Sequence, residues 1–261
     1  MAIKRSNPPL HLSRTPLIYV VTQIRFSAIV SMDKYIPEIQ EKLRRAYPWF
    51  YRAKIQEFAF QSEGAPNISF TDRYEFMQRD KRSGVVLTSN SVALHTNKYS
   101  SYEIFEEEFI RALTAIHETV NIGLVERIGL RYVDLLRLGP NEGWSDYLKP
   151  GLLGLDAQDV GVSQWQSQSV SMGKTEVGTL AFRYTRSESP FPPDLSPLNL
   201  QYEAPLLTPK ETGTILDFDH YWEVAREFEL ESVVASIGDL HDSIDRAFRS
   251  AVTPDALRKW E

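Results

Sequence analysis

The chain has 261 residues, 42% of them hydrophobic and 25% charged, a composition that is ordinary for a globular protein. It contains no cysteine, so disulfides and thiolate metal sites are excluded. A formal net charge of −6 disfavours broad, non-specific nucleic-acid binding, which relies on a basic surface.

The first predicted elements are an arm, a strand and a helix. Residues 1–15 contain two adjacent prolines and predict an extended arm without the apolar segment of a signal peptide. No apolar run in the sequence approaches the roughly 20 residues that span a bilayer, so we expect a soluble, cytoplasmic protein. Alternating apolar residues predict a strand over Leu17–Phe26. Ser31 or Asp33 then caps a predicted helix that runs to about Tyr47.

Several strands are predicted to follow in the same half of the chain. Alternation of apolar and polar residues is the signal for each of them, and Asn90 marks a turn. The predicted strands are Lys54–Gln61, Ser69–Gln78, Val85–Ser89 and Val92–Thr96.

The clearest predicted helix leads directly into the longest predicted strand, Leu124–Leu138. Ser100 and Glu103 form a capping box at the start of the helix, and its apolar stripe continues to Val120. The strand is apolar on one face except at Asp134, so we expect it to be central in a sheet, with this helix packed across it. A buried carboxylate is costly unless it is paired or hydrogen-bonded. Asp134 is therefore either an acid at a site or one bonded to a backbone amide or an arginine.

A segment rich in glycine and proline, residues 139–157, predicts a boundary between two halves, 16–139 and 140–261, joined as one compact unit. The predicted elements of the second half are a hairpin of Val160–Ser171 and Thr175–Thr185 turning at 172–174, a proline-rich segment over 186–212 with a short edge strand at Leu198–Tyr202, a strand over Thr214–Trp222, a helix over Phe228–Ser250, and a short helix from Thr253 to about Trp260. Together the elements predict an α+β fold. Its antiparallel sheet comes from two possibly related halves, with helices packed on one face and a polar, partly open face opposite.

Charged side chains of both signs share that polar face and form the candidate site. Its residues are Gln23, Arg25, Arg73, Glu75, Arg131, Asp217 and Asp219, with Arg183 beside them. Asp217 and Asp219, joined by Asp72 or Glu75, would offer oxygen ligands to Mg²⁺ or Mn²⁺ and support metal-assisted phosphoryl chemistry. The alternative is a lattice of ion pairs without catalysis, which is the commoner arrangement on a mixed-sign surface. No other metal site and no other cofactor is predicted.

The sequence contains no glycine-rich nucleotide loop, no HExxH and no GxSxG motif. The leading hypothesis is therefore a non-catalytic binding or assembly component that associates with itself or with a protein partner, through the polar face or the proline-rich segment. A metal-dependent phosphoester or nucleotide-processing enzyme centred on Asp217 and Asp219 is the alternative. A nucleic-acid binder using Arg25, Arg73 and Arg131 is the weaker alternative.

Four segments resemble an uncharacterised, sporadically distributed bacterial protein family of similar length. They are PL…V…QIRF within Pro16–Phe26, RIGLRY at Arg127–Tyr132, LDFD at Leu216–Asp219, and Leu240-His241 … Ile244 … Phe248. The family offers no activity to carry over. Its scattered occurrence is typical of mobile or defence-associated genes, so the resemblance implies a biological context and no particular chemistry.

Overall fold

One antiparallel sheet organises the protein, seen in a computed structural model that describes residues 10, 12–59, 67–155, 160–162, 166–223 and 225–261. Ten strands lie within these residues: β1 (Leu17–Phe26), β2 (Trp49–Ala59), β3 (Asn67–Met77), β4 (Ser83–Leu87), β5 (Ser91–Thr96), β6 (Leu124–Leu136), β7 (Ser167–Lys174), β8 (Thr179–Ser187), β9 (Gly213–Trp222) and β10 (Arg226–Glu227). Their order is β2-β3-β4-β5-β1-β6-β9-β8-β7, and β10 pairs with β6. The predicted central position of β6 is confirmed.

The helices supply the second layer. They are α1 (Ile36–Leu43), α2 (Tyr102–Val120), α3 (Trp144–Tyr147), α4 (Leu230–Ala251) and α5 (Pro254–Trp260), with 3-10 turns at Met32–Tyr35 and Pro150–Leu152. The predicted α+β class with an antiparallel sheet is confirmed. Within the described residues, no helix combines the length and the apolar character that crossing a membrane requires.

The main core lies between the helices and one sheet face. Ile24, Phe76, Leu130 and Phe218 from four different strands are at most 1% exposed and belong to one cluster with helix residues such as Phe109. We expected α2 to cross β6. Instead, α4 lies across β6 and β9, while α2 lies over β5. Chain order predicted the wrong helix because β1 lies between β5, which α2 covers, and the strands β6 and β9, which α4 covers.

The observed ends of α2 and α1 differ from two predictions. Ser101, not Ser100, caps α2, because its Oγ accepts a hydrogen bond from the Ile104 amide at 3.4 Å. The helix ends at Val120 and is followed by the C-cap Asn121, whose φ of 54° lies in the left-handed region that asparagine tolerates. The first helix ends at Leu43 instead of near Tyr47.

Three strand predictions also differ from the structure. β2 begins at Trp49, five residues before the predicted start, and the predicted end at Gln61 lies outside the described residues. No strand forms at Leu198–Tyr202. The β7–β8 turn lies at 175–178 instead of 172–174: the Thr175 amide donates to the Gly178 carbonyl at 2.9 Å. A Cβ at Gly178 would stand 2.3 Å from the Tyr221 carbonyl oxygen, so this turn position requires glycine.

The proline-rich segment covers part of the sheet face that the helices leave bare. Its Leu200 is 6% exposed and packs in a second apolar cluster with Tyr19, Val133 and Ile215. This cluster lies at one end of the face, and the partly buried Phe191 of the same segment packs against it. The face is therefore polar only in part, and one end of it is a small second core.

Candidate functional site

The seven candidate residues share one sheet face but do not converge. Asp219 lies opposite Arg131, whereas Glu75 lies on β3, with β4, β5 and β1 between that strand and β6. Four strand spacings put the two groups roughly 19 Å apart at the backbone. Gln23 and Arg25 on β1 lie between them, Gln23 half-buried and Arg25 exposed. The predicted single site is two separate clusters.

Asp217 is the centre of the first cluster and is 0% exposed. Its two oxygens accept hydrogen bonds from Nε and Nη2 of Arg131 at 2.7 and 2.8 Å, and from Nη1 of Arg183 at 3.2 Å. The register supplies these partners, because Arg183 lies directly opposite Asp217 on β8 and Arg131 lies opposite Asp219 on β6. Arg131 also donates to both oxygens of Asp194 at 3.0 and 3.1 Å. The cluster is a closed network of ion pairs.

The electrostatics of this cluster follow from burial and pairing. Burial alone would lower the pKa of Arg131, but its hydrogen bonds to Asp217 and Asp194 raise the pKa above the ordinary value. The hydrogen bonds from Arg131 lower the pKa of Asp194. Burial raises the pKa of Asp219 against the opposing effect of neighbouring arginines, Arg127 first. Arg131 is therefore the residue on which the charge balance of the cluster depends.

Arg73 and Glu75 form the second cluster. Glu75 is 1% exposed, its Oε1 pairs with Nε of Arg73 at 2.7 Å, and its Oε2 accepts from the Asn199 amide at 2.6 Å. His95, also 1% exposed, lies 3.3 Å from the Tyr19 hydroxyl through Nδ1. Burial, with a smaller effect from Arg73, lowers the pKa of His95 to about 4. This histidine is neutral at physiological pH.

Both clusters hold the proline-rich segment against the sheet. Asp194 and Asn199 belong to that segment, and they bind Arg131 and Glu75 respectively. The Tyr202 hydroxyl adds a bond to the Ile18 carbonyl at 3.3 Å. The segment is tied down by polar bonds at its margins and by Leu200 in the second apolar cluster. Several of the predicted site residues therefore act as anchors for this segment.

The other end of the polar face is open. It contains a depression of about 230 Å³ lined by Arg25, Glu126, Arg127, Glu223 and Ala225. Its charges are mixed and partly paired, since Arg127 lies 3.4 Å from Glu223 and stacks on Tyr221 at 4.6 Å from the ring centre.

The aspartates do not fit a magnesium or manganese site. Asp217 already accepts three guanidinium N–H groups, and Asp72, a predicted further ligand, pairs with Arg52 at 3.0 Å. Among the residues that the structure describes, no three histidine, aspartate or glutamate side chains are grouped to hold a metal ion. A cation would have to displace arginine from Asp217 before binding.

Asp134 lies on the helix-covered face of β6 and is 4% exposed. Leu17 and Leu216 are its neighbours on the flanking strands. Burial, with a smaller contribution from Asp217, raises the pKa of Asp134 to about 8. The carboxyl is therefore mostly protonated at neutral pH, and it behaves as a buried neutral group instead of a charged ligand.

The outer edge of β7 was not predicted as a candidate site. β7 pairs only with β8 among the described strands, and every residue from Gln168 to Lys174 is exposed. Val170 and Met172 are 56% and 64% exposed. The sequence signal for this edge is that residues 167–173 contain no charge and no proline.

No protein-family model matches the chain, and no curated protein matches it at the significance required.

Proposed function

We propose that the protein is a non-catalytic binding or assembly component of a bacterial cytosolic system, and that it acts by associating with protein, including further copies of itself. The observation that carries this proposal is the exposed, uncharged outer edge of β7. An edge strand presents unpaired backbone N–H and C=O groups, and proteins that remain monomeric usually blunt such an edge with charges, proline or a bulge. β7 has an unbroken register with β8 and none of these devices between Ser167 and Gly173.

The polar face supports the same proposal by the way its charges are used. Asp217 and Glu75, the two buried carboxylates of the face, are bound by arginine and by the proline-rich segment. Catalytic carboxylates need an open approach to substrate and a pKa matched to proton transfer. Glu75 instead holds Asn199 of the segment, and Asp217 holds Arg131, which binds Asp194 of the segment. The metal-dependent alternative is therefore less favoured by the geometry.

Two measurements on the full chain test the proposal. Sedimentation or light scattering over a wide concentration range is expected to give a mass above the 29.9 kDa monomer as concentration rises. Calorimetric titration with Mg²⁺ and with Mn²⁺ is expected to give no saturable heat. A chain that stays monomeric throughout, together with metal binding that Asp217→Asn abolishes, would replace this proposal with the enzyme alternative.

A further inference from the structure

We infer that the partner of β7 is the β7 strand of a second copy, paired antiparallel about a two-fold axis through Ser171. This inference rests on the proposed function and names the occupant of the same edge. The resulting dimer has one continuous sheet through both chains, since a two-fold axis normal to the sheet keeps each face on its own side.

Charge is the first argument for a second copy. In a two-fold pair each residue near the axis meets itself or a close neighbour, so any charge there meets a like charge, which is destabilising. β7 avoids this, because its one charged residue is Lys174 at the end of the strand, and the Lys174 ammonium donates to the Thr179 hydroxyl at 2.7 Å. The opposite sheet edge, β2, carries Arg52 and Lys54 and would bring like charges together in such a pair.

Side-chain complementarity fixes the register. Val170 and Met172 face the same side as Asp217, because Val170 lies opposite Arg183 on β8. An axis through Ser171 sets Val170 of each copy directly against Met172 of the other. This contact occurs twice in the dimer, once on each side of the axis, and each contact covers two exposed apolar side chains. On the opposite face of the sheet, the same axis pairs residue 169 with the glycine at 173, so no large side chain keeps the two β7 strands apart.

The backbone can complete this pairing without rearrangement. β7 is in regular register with β8 over its eight residues, without a bulge. A Cβ built on Gly173 meets no atom within 4 Å, so the sheet face above this residue is open. Pairing seven residues antiparallel adds about six to eight backbone hydrogen bonds between the chains.

Single-cysteine cross-linking tests the axis, because the chain has no cysteine of its own. Across the proposed axis, the two Cα atoms of residue 171 are about 4.5 or 5.5 Å apart, within the disulfide range. Those of residue 170 are about 8 Å apart, beyond it. Under mild oxidation, Ser171→Cys should give a covalent dimer and Val170→Cys should give little. Equal cross-linking of both variants, or none with Ser171→Cys, overturns the proposed axis.

Charge exchange tests the register in solution. Val170→Lys with Met172→Glu opposes unlike charges in the proposed register and should keep the dimer, whereas Val170→Lys with Met172→Lys should weaken it about tenfold or more. Val30→Lys is the matched control, since Val30 is 97% exposed and lies outside the strands. All three are checked by light scattering and by circular dichroism, which should show unchanged folding.

The outcomes separate the two proposals. A wild-type chain that assembles while both charge variants assemble equally well overturns pairing through β7 and leaves the proposed function standing. A wild-type chain that is monomeric at every concentration overturns pairing through β7, and it overturns the proposed function as well when the chain also shows metal binding that Asp217→Asn abolishes.

Discussion

Replacing Asp217 by asparagine is the most informative perturbation of the polar face. Asp217 is fully buried and accepts three N–H groups from Arg131 and Arg183. Breaking a buried ion pair by removing one partner costs about 3–5 kcal/mol, because a buried charge is left uncompensated. Arg131 keeps Asp194, so we expect a loss near the lower end, about 3 kcal/mol. Urea unfolding followed by circular dichroism measures it.

Asp194→Asn is the matched control for this substitution. Asp194 binds the same arginine, but its side chain is 57% exposed, and exposed pairs contribute about 0–1 kcal/mol. The double variant Arg131→Gln with Asp217→Asn should cost less than the sum of its single changes, by about 0.5–3 kcal/mol.

A functional metal site would respond in the opposite direction. Carboxylates kept together for a cation are a strain on the metal-free protein, so removing one of them often stabilises the fold. If Asp217→Asn stabilises the protein, or costs no more than Asp194→Asn, the interpretation of this cluster as an anchor is wrong.

Three other substitutions test separate parts of the structure. Folding raises the pKa of Asp134 from 3.8 to about 8, so the free energy of unfolding falls as pH increases between those values, by at most about 1.4 kcal/mol per pH unit. Asp134→Asn should remove this fall and stabilise the protein at pH 9, which urea unfolding measured from pH 5 to pH 9 will test. Leu200→Ala should cost about 2–4 kcal/mol and speed proteolysis within residues 186–212, and unchanged cleavage would contradict the docking of that segment. Ser101→Ala should lower stability by about 1 kcal/mol, and equal loss with Ser100→Ala would contradict the observed cap.

Local patterns predicted the elements that depend on them. The period of two over Leu17–Phe26 and Leu124–Leu138 predicted β1 and β6, and the helical stripe before Val120 predicted α2. The β7–β8 turn was placed wrongly because Gly173 looked like a turn residue, whereas Gly178 is the glycine that the packing against Tyr221 requires.

The candidate site was only partly predictable for a similar reason. Alternation put Arg131, Asp217 and Glu75 on one face, and the registers agree. Their partners Asp194 and Asn199 come from a segment without periodicity, so no pattern in the sequence brings them to the sheet. Which strand becomes an edge depends on strand order, and that order is set by long-range pairing.

Hydrogen exchange at β7, measured at several protein concentrations, tests the central claim most directly. The outward-facing amides of Ser167–Gly173 should exchange rapidly in dilute protein and become protected as concentration rises, while protection of the central β6 amides stays constant. Rapid exchange of the β7 amides in a sample that light scattering shows to be assembled would contradict it.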